Sequence, residues 1–128
     1  MASGAFQRSQ RLLTSRDYQV TFDKARIRFS TPVLLVLAAE QTDQGGQLPA
    51  GPARLGLVVG KKHLKRAVDR NRFKRLARES FRHHQQLLEG LDIIVLARAG
   101  AGRVEDDREI PQLLDKAWRY IQRKRLKN

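Results

Sequence analysis

Between Lys61 and Arg82 the chain sets ten cations (Lys61, Lys62, Lys65, Arg66, Arg70, Arg72, Lys74, Arg75, Arg78 and Arg82) against two acids, Asp69 and Glu79. Arg66, Arg70, Lys74, Arg78 and Arg82 recur every fourth residue. On a helix that spacing makes a row on one face. Like charges at i, i+4 cost a helix about 0.2–0.5 kcal/mol per pair, so four successive pairs cost about 1–2 kcal/mol at low salt. A merely solvated face would intersperse acids. The row therefore points to a ligand that brings the missing negative charge. Arg predominates, and a guanidinium can fork onto two phosphate oxygens, whereas Lys acts as a point charge. Asn71, between Arg70 and Arg72, can donate and accept, which suits a base edge, a 2′-hydroxyl, or fixing of the neighbouring arginines.

Upstream, Gly60-Lys61-Lys62 sits where strand passes to helix, and successive backbone N–H groups there could form an anion-binding nest. The spacing is not that of a P-loop, and no Ser or Thr follows the Lys, so nucleotide hydrolysis is not expected. His63, His83 and His84 do not suggest a metal or acid–base centre. The adjacent pair points about 100° apart on a helix, with no further ligands at suitable spacing. Asp106, Asp107 and Glu109 read as helix-capping acids, and Trp118 as a core anchor. The run Arg119, Arg123, Lys124, Arg125 and Lys127 suits either RNA or a helix C-terminus.

Lys plus Arg number 26 against 13 Asp plus Glu, a formal net charge of +13 in 128 residues. Self-repulsion on that scale favours a polyanionic partner, and nucleic acid fits better than a membrane surface, which needs a broad apolar helix face. With no Cys, neither disulfides nor a Cys-based zinc site can form, which fits a reducing compartment. No apolar run approaches the roughly 20 residues of a membrane span, and Met1 to Arg11 carries no signal-like stretch. A cytoplasmic location is expected.

The length suits a single domain, 1–128, with a polar basic arm at 1–13 and a flexible Gly- and Pro-containing loop at 41–53. Thr14-Ser15-Arg16-Asp17 starts a helix to about Lys24, with Tyr18 and Phe22 at i, i+4 on one face. Strands are expected near 27–29, over 33–39 and from Arg54 to Gly60. A helix runs from about Leu64 to Glu89, with Gly90 at its C-cap. Leu91 to Ala97 is a further strand. Asp106 or Asp107 caps a last helix through about Lys124, its buried stripe being Ile110, Leu113, Leu114, Ala117, Trp118 and Ile121. A strand–helix–strand crossover suggests a parallel pair, and the whole an α+β, two-layer domain.

Arg54-Leu55-Gly56-Leu57-Val58-Val59-Gly60-Lys61-Lys62, followed by Ala67-Val68-Asp69-Arg70-Asn71-Arg72-Phe73-Lys74-Arg75 and Arg78-Glu79-Ser80-Phe81, resembles the signature of bacterial ribonuclease P proteins. Arg-Asn-Arg alone would mean little. Joined to the Gly-x-x-x-Gly-Lys-Lys lead-in at this spacing, it is highly specific. Arg11 to Thr14, Tyr18 to Phe22 and Leu91 to Arg98 are also similar to the family. The match thus spans most of the chain outside the 41–53 loop and the extreme termini.

The resemblance implies a two-layer α/β sandwich similar to the second domain of ribosomal protein S5, α-β-β-β-α-β-α, with a left-handed βαβ crossover. It implies a subunit of ribonuclease P, an endoribonuclease yielding 5′-phosphate ends, whose catalysis resides in the RNA subunit. No catalytic residue on the protein and no organic cofactor are then expected; magnesium would be bound mainly by the RNA. The partners implied are that catalytic RNA and the 5′ leader of precursor tRNA, with neither membrane nor DNA. Arg70, Asn71, Arg72, Lys74, Arg75 and Arg78 match the family's RNA-contacting motif, and Lys61, Lys62 and Arg66 its basic lead-in. Tyr18 and Phe22 match aromatic positions of a leader cleft between the first helix and the sheet. Ordinary core packing is the competing reading of that pair. One departure stands out: the 33–39 strand has no aromatic residue where family members often carry Tyr, and Leu35 takes that place.

Overall fold

A computed structural model describes residue 11, residues 14–41 and residues 51–126 of the protein. Most of the basic arm and residues 42–50 of the expected loop lie outside the described residues. Helix α1, Ser15–Lys24, opens on a capping box. The Thr14 side chain accepts from the Asp17 N–H at 3.0 Å, and the Asp17 carboxylate accepts from the Thr14 N–H at 3.1 Å. Two otherwise orphaned donors are thereby satisfied. Three strands follow, β1 Ile27–Ser30, β2 Leu34–Glu40 and β3 Arg54–Val58, then α2 Ala67–His83, β4 Leu91–Ala97 and α3 Glu109–Leu126. Short 3-10 turns at Gln85–Leu88 and Ala99–Arg103 flank β4.

The sheet order is β1-β2-β4-β3. β1 and β4 each run antiparallel to β2, and β3 runs parallel to β4. A parallel neighbour requires a crossover, and α2 supplies it. Every residue from Leu91 to Val95 is buried, as a central strand covered on both faces demands. That is why β4 reads as an unbroken aliphatic run.

The two faces are covered differently. On one, Ile27, Leu34, Val36, Ala38, Leu55, Leu91, Ile93, Val95 and Ala97 join Phe73, Ala77 and Phe81 of α2 and Leu114, Ala117, Trp118 and Ile121 of α3 in a single core. Trp118 is fully buried, edge-on to Phe81 at 6.4 Å between ring centroids. Its indole N–H donates to the Ser80 hydroxyl at 2.8 Å. A buried indole needs such an acceptor, so Ser80 is part of the core although its residue type does not announce it. On the other face the pairing aligns Ser30, Leu35, Leu96 and Val58 in one row, and Arg28, Leu37, Ile94 and Gly56 in the next. Ile94 is fully buried there, outside the main core, beneath α1, which packs on β2 and β4. The expected sandwich of helices on a sheet is present, with α1 added as a partial layer on the second face.

α2 begins three residues later than the periodicity suggests. The N–H groups of His63 and Leu64 both close back on the Gly60 carbonyl, at 3.3 and 3.2 Å, so residues 61–63 form a turn before the helix can start. At the other end the helix gives way to the 3-10 turn, and Gly90 adopts a φ of +83°, a conformation open to glycine at little cost.

The stems of the 41–53 loop are held firmly. The Gln41 amide nitrogen lies 2.9 Å from the Pro52 carbonyl, 3.1 Å from that of Leu91 and 2.9 Å from the Asp92 carboxylate. Asp92 also receives the Arg54 guanidinium in a two-pronged contact, Nε at 2.8 Å and Nη2 at 2.7 Å. Gly90 links the same stems, donating to Gly51 and accepting from Gln41, both at 2.8 Å.

Removing the Asp92 carboxylate as Asp92→Ala should therefore cost about 1–3 kcal/mol, the range for stranding bonded partners. Denaturant unfolding checks this, and Arg54→Ala in the same background should add little. Gly100 has a separate constraint: a Cβ there would meet the Pro32 carbonyl oxygen at 2.6 Å. Gly100→Ala should destabilise by about 1–3 kcal/mol, as overpacking does, whereas Gly60→Ala, with its nearest neighbour at 3.9 Å, should cost far less.

Candidate nucleic-acid interface

The burial of Phe73, Ala77, Ser80 and Phe81 sets the rotational phase of α2. Each i, i+4 step advances about 40° around the axis, so the row from Arg66 to Arg82 winds rather than staying on one face. Arg70 lies close to the buried meridian. Its Nη1 folds back to donate to the carbonyls of Leu64 and Lys65, at 2.9 and 2.8 Å, stitching the helix to the turn before it. Arg78 lies about 140° from Phe73 and Asn71 about 160°. Asn71 and Arg75 are exposed; Lys74 and Arg78 are half-exposed.

Two more arginines of the motif are engaged within the chain. Arg66, at the helix N-cap, pairs with Asp69 through Nε at 2.8 Å, and its hydrogen bond holds the Asp69 carboxyl below the usual carboxylate range. Arg72 pairs with Asp107 in the turn before α3. Around these pairs a cleft of about 600 Å³ opens between the start of α2 and residues 101–110, with Phe73, Leu76 and Ile110 in its wall. The sequence offers Asp106 or Asp107 as the cap of α3. In the structure Asp106 accepts from the Arg108 N–H at 2.8 Å, in the turn just ahead of the helix, while Asp107 reaches across to α2.

Among the described residues, no carboxylate lies within ion-pair distance of Lys61, Lys62, Lys65, Lys74, Arg75 or Arg78. Lys61 and Lys62 are exposed in the turn ahead of α2. The amides that the Gly60 carbonyl captures are those of His63 and Leu64, so those two are not free to meet an anion. Val68, 63% exposed, stands one turn before Asn71 and two before Arg75 on the outward face, an apolar contact point amid the cations.

The second candidate surface is the open part of the other sheet face. Phe22, on α1, is 39% exposed. Leu35, Leu37 and Leu96 are half-buried on the strands beside it, and Val58 is 37% exposed. Arg28 and Ser30 share this face at the β1 end. Arg98 donates to the Ser30 hydroxyl and to the Thr31 carbonyl, so a cation stands at that wall of the cleft. Sequence reasoning missed Arg28, Ser30 and Arg98 because only strand register brings them together. Tyr18 and Phe22 prove unlike one another. The Tyr18 hydroxyl accepts from the Leu57 N–H at 3.0 Å and lies 3.4 Å from the Leu57 carbonyl. It ties α1 to the free edge of β3, whereas the Phe22 ring is left accessible.

The histidines do not converge. His84 lies 3.6 Å from Asp115, with its Nδ1 2.7 Å from the Ser80 carbonyl. Among the described residues no group of three or more His, Cys, Asp or Glu could hold a metal ion, and no helix is long and apolar enough to cross a membrane.

Comparison with known proteins agrees with this geometry. Residues 6–122 match the family model Ribonuclease P. The ribonuclease P protein components of Pseudomonas putida and Pseudomonas aeruginosa are each 46% identical over 125 residues, covering 98% of this chain and 87% of theirs. The solved RNase P protein of Staphylococcus aureus superposes with a TM-score of 0.72 at 27% identity, over 86% of this chain and 93% of that one. That of Thermotoga maritima gives 0.66 at 27% identity, over 85% and 96%. With a cation-bearing crossover helix, an open sheet face and relatives matched nearly end to end, the chain belongs to the ribonuclease P protein family, the protein components of the ribonucleoprotein nuclease of tRNA processing.

Proposed function

We propose that the protein binds the catalytic RNA of ribonuclease P through the outward face of α2 and the 5′ leader of precursor tRNA through the cleft between α1 and the sheet. The observation that carries this reading is the set of unneutralised cations on and just before α2. Lys61, Lys62, Lys74, Arg75 and Arg78 supply the phosphate contacts, with Asn71 at their centre. Arg66, Arg70 and Arg72 fix the helix, its lead-in turn and the neighbouring turn, and offer their remaining guanidinium edges to the RNA. Phe22 supplies an aromatic face for a leader base, a contact worth about 1–3 kcal/mol when made. Leu35, Leu37 and Leu96 give that cleft an aliphatic floor, which excludes water without selecting a base by stacking.

Hydrolysis belongs, on this reading, to the RNA and to magnesium held mainly by it, in the cytoplasm. The protein's residues bind and orient and carry no catalytic group. Family membership also supports a left-handed β3–α2–β4 crossover of the kind found in the second domain of ribosomal protein S5. A structural RNA-binding protein of the ribosome would share the cationic helix but has no use for a leader cleft.

Binding to the catalytic RNA should fall by about a thousandfold between 50 and 200 mM salt if five or six phosphates are contacted. Arg75→Gln with Arg78→Gln should flatten that dependence by about two counterions. A salt-independent affinity would overturn the electrostatic account. In the holoenzyme, Phe22→Ala should weaken precursor binding by about five- to a hundredfold relative to mature tRNA, matching one lost stacking contact. Its affinity for the catalytic RNA should not change. Tyr18→Phe should instead lower protein stability by about 0.5–1.5 kcal/mol, the worth of one hydrogen bond, with little change in leader selectivity.

A further inference from the structure

α3 carries cations that none of these contacts uses. Lys116, Arg119 and Arg123 are exposed and fall within about 60° of one another around the helix axis. They lie opposite the buried Leu114, Ala117, Trp118 and Ile121. Among the described residues, none of the three has a carboxylate within ion-pair distance. Asp115, the acid beside Lys116 in sequence, is turned toward His84.

The arginines that hold this part of the fold are recognisable by their bonds. Arg108 contacts Asp106, Arg72 contacts Asp107, and Arg125 donates to the Leu87 and Glu89 carbonyls at 3.1 and 2.8 Å. Lys116, Arg119 and Arg123 have no such employment. The helix dipole accounts for cations in the last turn, Arg123 to Arg125, but Lys116 and Arg119 stand earlier and outside its reach. Lys116–Arg119 and Arg119–Arg123 are like-charge neighbours that weaken the helix. Beside them Tyr120 packs half-buried on Phe29, with Lys124 5.4 Å above its ring. Its hydroxyl has no hydrogen-bond partner among the described residues and is available to a ligand oxygen.

We propose that this face of α3 is a second surface for the phosphodiester backbone of folded RNA, separate from the face on α2. The proposal rests on the RNA-binding reading above and extends it. α2 packs against β3 and α3 against β1, which are the two opposite edges of the sheet. The seam between the helices holds acids of its own: Asp107 pairs with Arg72, and Asp115 is turned toward His84. RNA must therefore meet two cationic faces across a strip that carries carboxylates, which fits a folded RNA or two of its segments better than one strand lying along a single groove.

The test uses the full chain with ribonuclease P RNA, titrated from 50 to 200 mM salt. The triple variant K116Q/R119Q/R123Q should lower the salt slope by about 2–3, near 0.9 for each phosphate contact removed, and weaken binding at least tenfold at the low-salt end. Its thermal midpoint should be unchanged or higher, because repulsion within α3 is relieved. A parallel R75Q/R78Q variant separates the two readings. If it lowers the slope and the α3 variant does not, the second surface is overturned and the first stands; if neither does, both fall. A loss by the α3 variant confined to vesicles of anionic phospholipid would also overturn the proposal. Should the triple variant fold poorly, single Lys116→Gln and Arg119→Gln variants must each lower the slope by about one, and unchanged slopes overturn the proposal in the same way.

Discussion

A surplus of thirteen positive charges is the constraint around which this small domain is arranged. Four of its acids answer it at the joints of the fold. Asp92 ties β4 to Arg54 of β3, Asp69 holds the N-cap arginine of α2, Asp107 links α2 to the approach of α3, and Asp106 shapes the turn between them. Apart from Arg54–Asp92, whose carboxylate is buried, the pairs are exposed enough that the contribution of each is modest. Their collective effect is positional: cations near a joint are neutralised, and those away from one stay available. The unpaired surface cations of α2 and its lead-in turn are what remains after the fold has met its own electrostatic needs.

The sheet serves two purposes because its faces are covered unequally. α2 and α3 seal one face into a core centred on Trp118, while α1 covers only part of the other. β4 runs beneath both layers, so its central residues are apolar on each side. The open region beside Phe22 is thus backed by the most deeply buried strand of the molecule. A binding cleft lined by half-buried leucines is stable on such a floor, since its shape is set by packing on the opposite face.

Much of this was legible in the residues. The aliphatic runs of β2 and β4, the Thr14–Asp17 box, the glycine before β4 and the apolar stripe of α3 each carry a local signal, and the element order follows from them. The Arg-Asn-Arg stretch with its lead-in identified the cationic helix. What could not be read was tertiary in origin. The start of α2 is delayed because the Gly60 carbonyl captures two amides. Ser80 is buried because the Trp118 indole needs an acceptor 38 residues away in sequence. Asp107, one of two acids that could cap α3, pairs instead with Arg72 of α2. The division of labour along the arginine row is present in the spacing, since Phe73 and Ala77 fix the phase of the helix and each i, i+4 step turns the row by about 40°. Tyr18 and Phe22 share a spacing and a residue class, and only the position of the β3 edge separates them.

That edge has one more consequence. β3 is the outermost strand beside β4, and its unpaired side is partly occupied from within the chain: Arg11 bridges to Leu55 in parallel, and Tyr18 takes the Leu57 N–H. An unprotected outer strand is a template for cross-chain pairing and aggregation. Arg11 and Tyr18 therefore act as a guard rail against self-association. A chain deprived of these two contacts would keep its surface cations but present an adhesive margin to its own copies, so two side chains ahead of the sheet govern whether the domain stays dispersed.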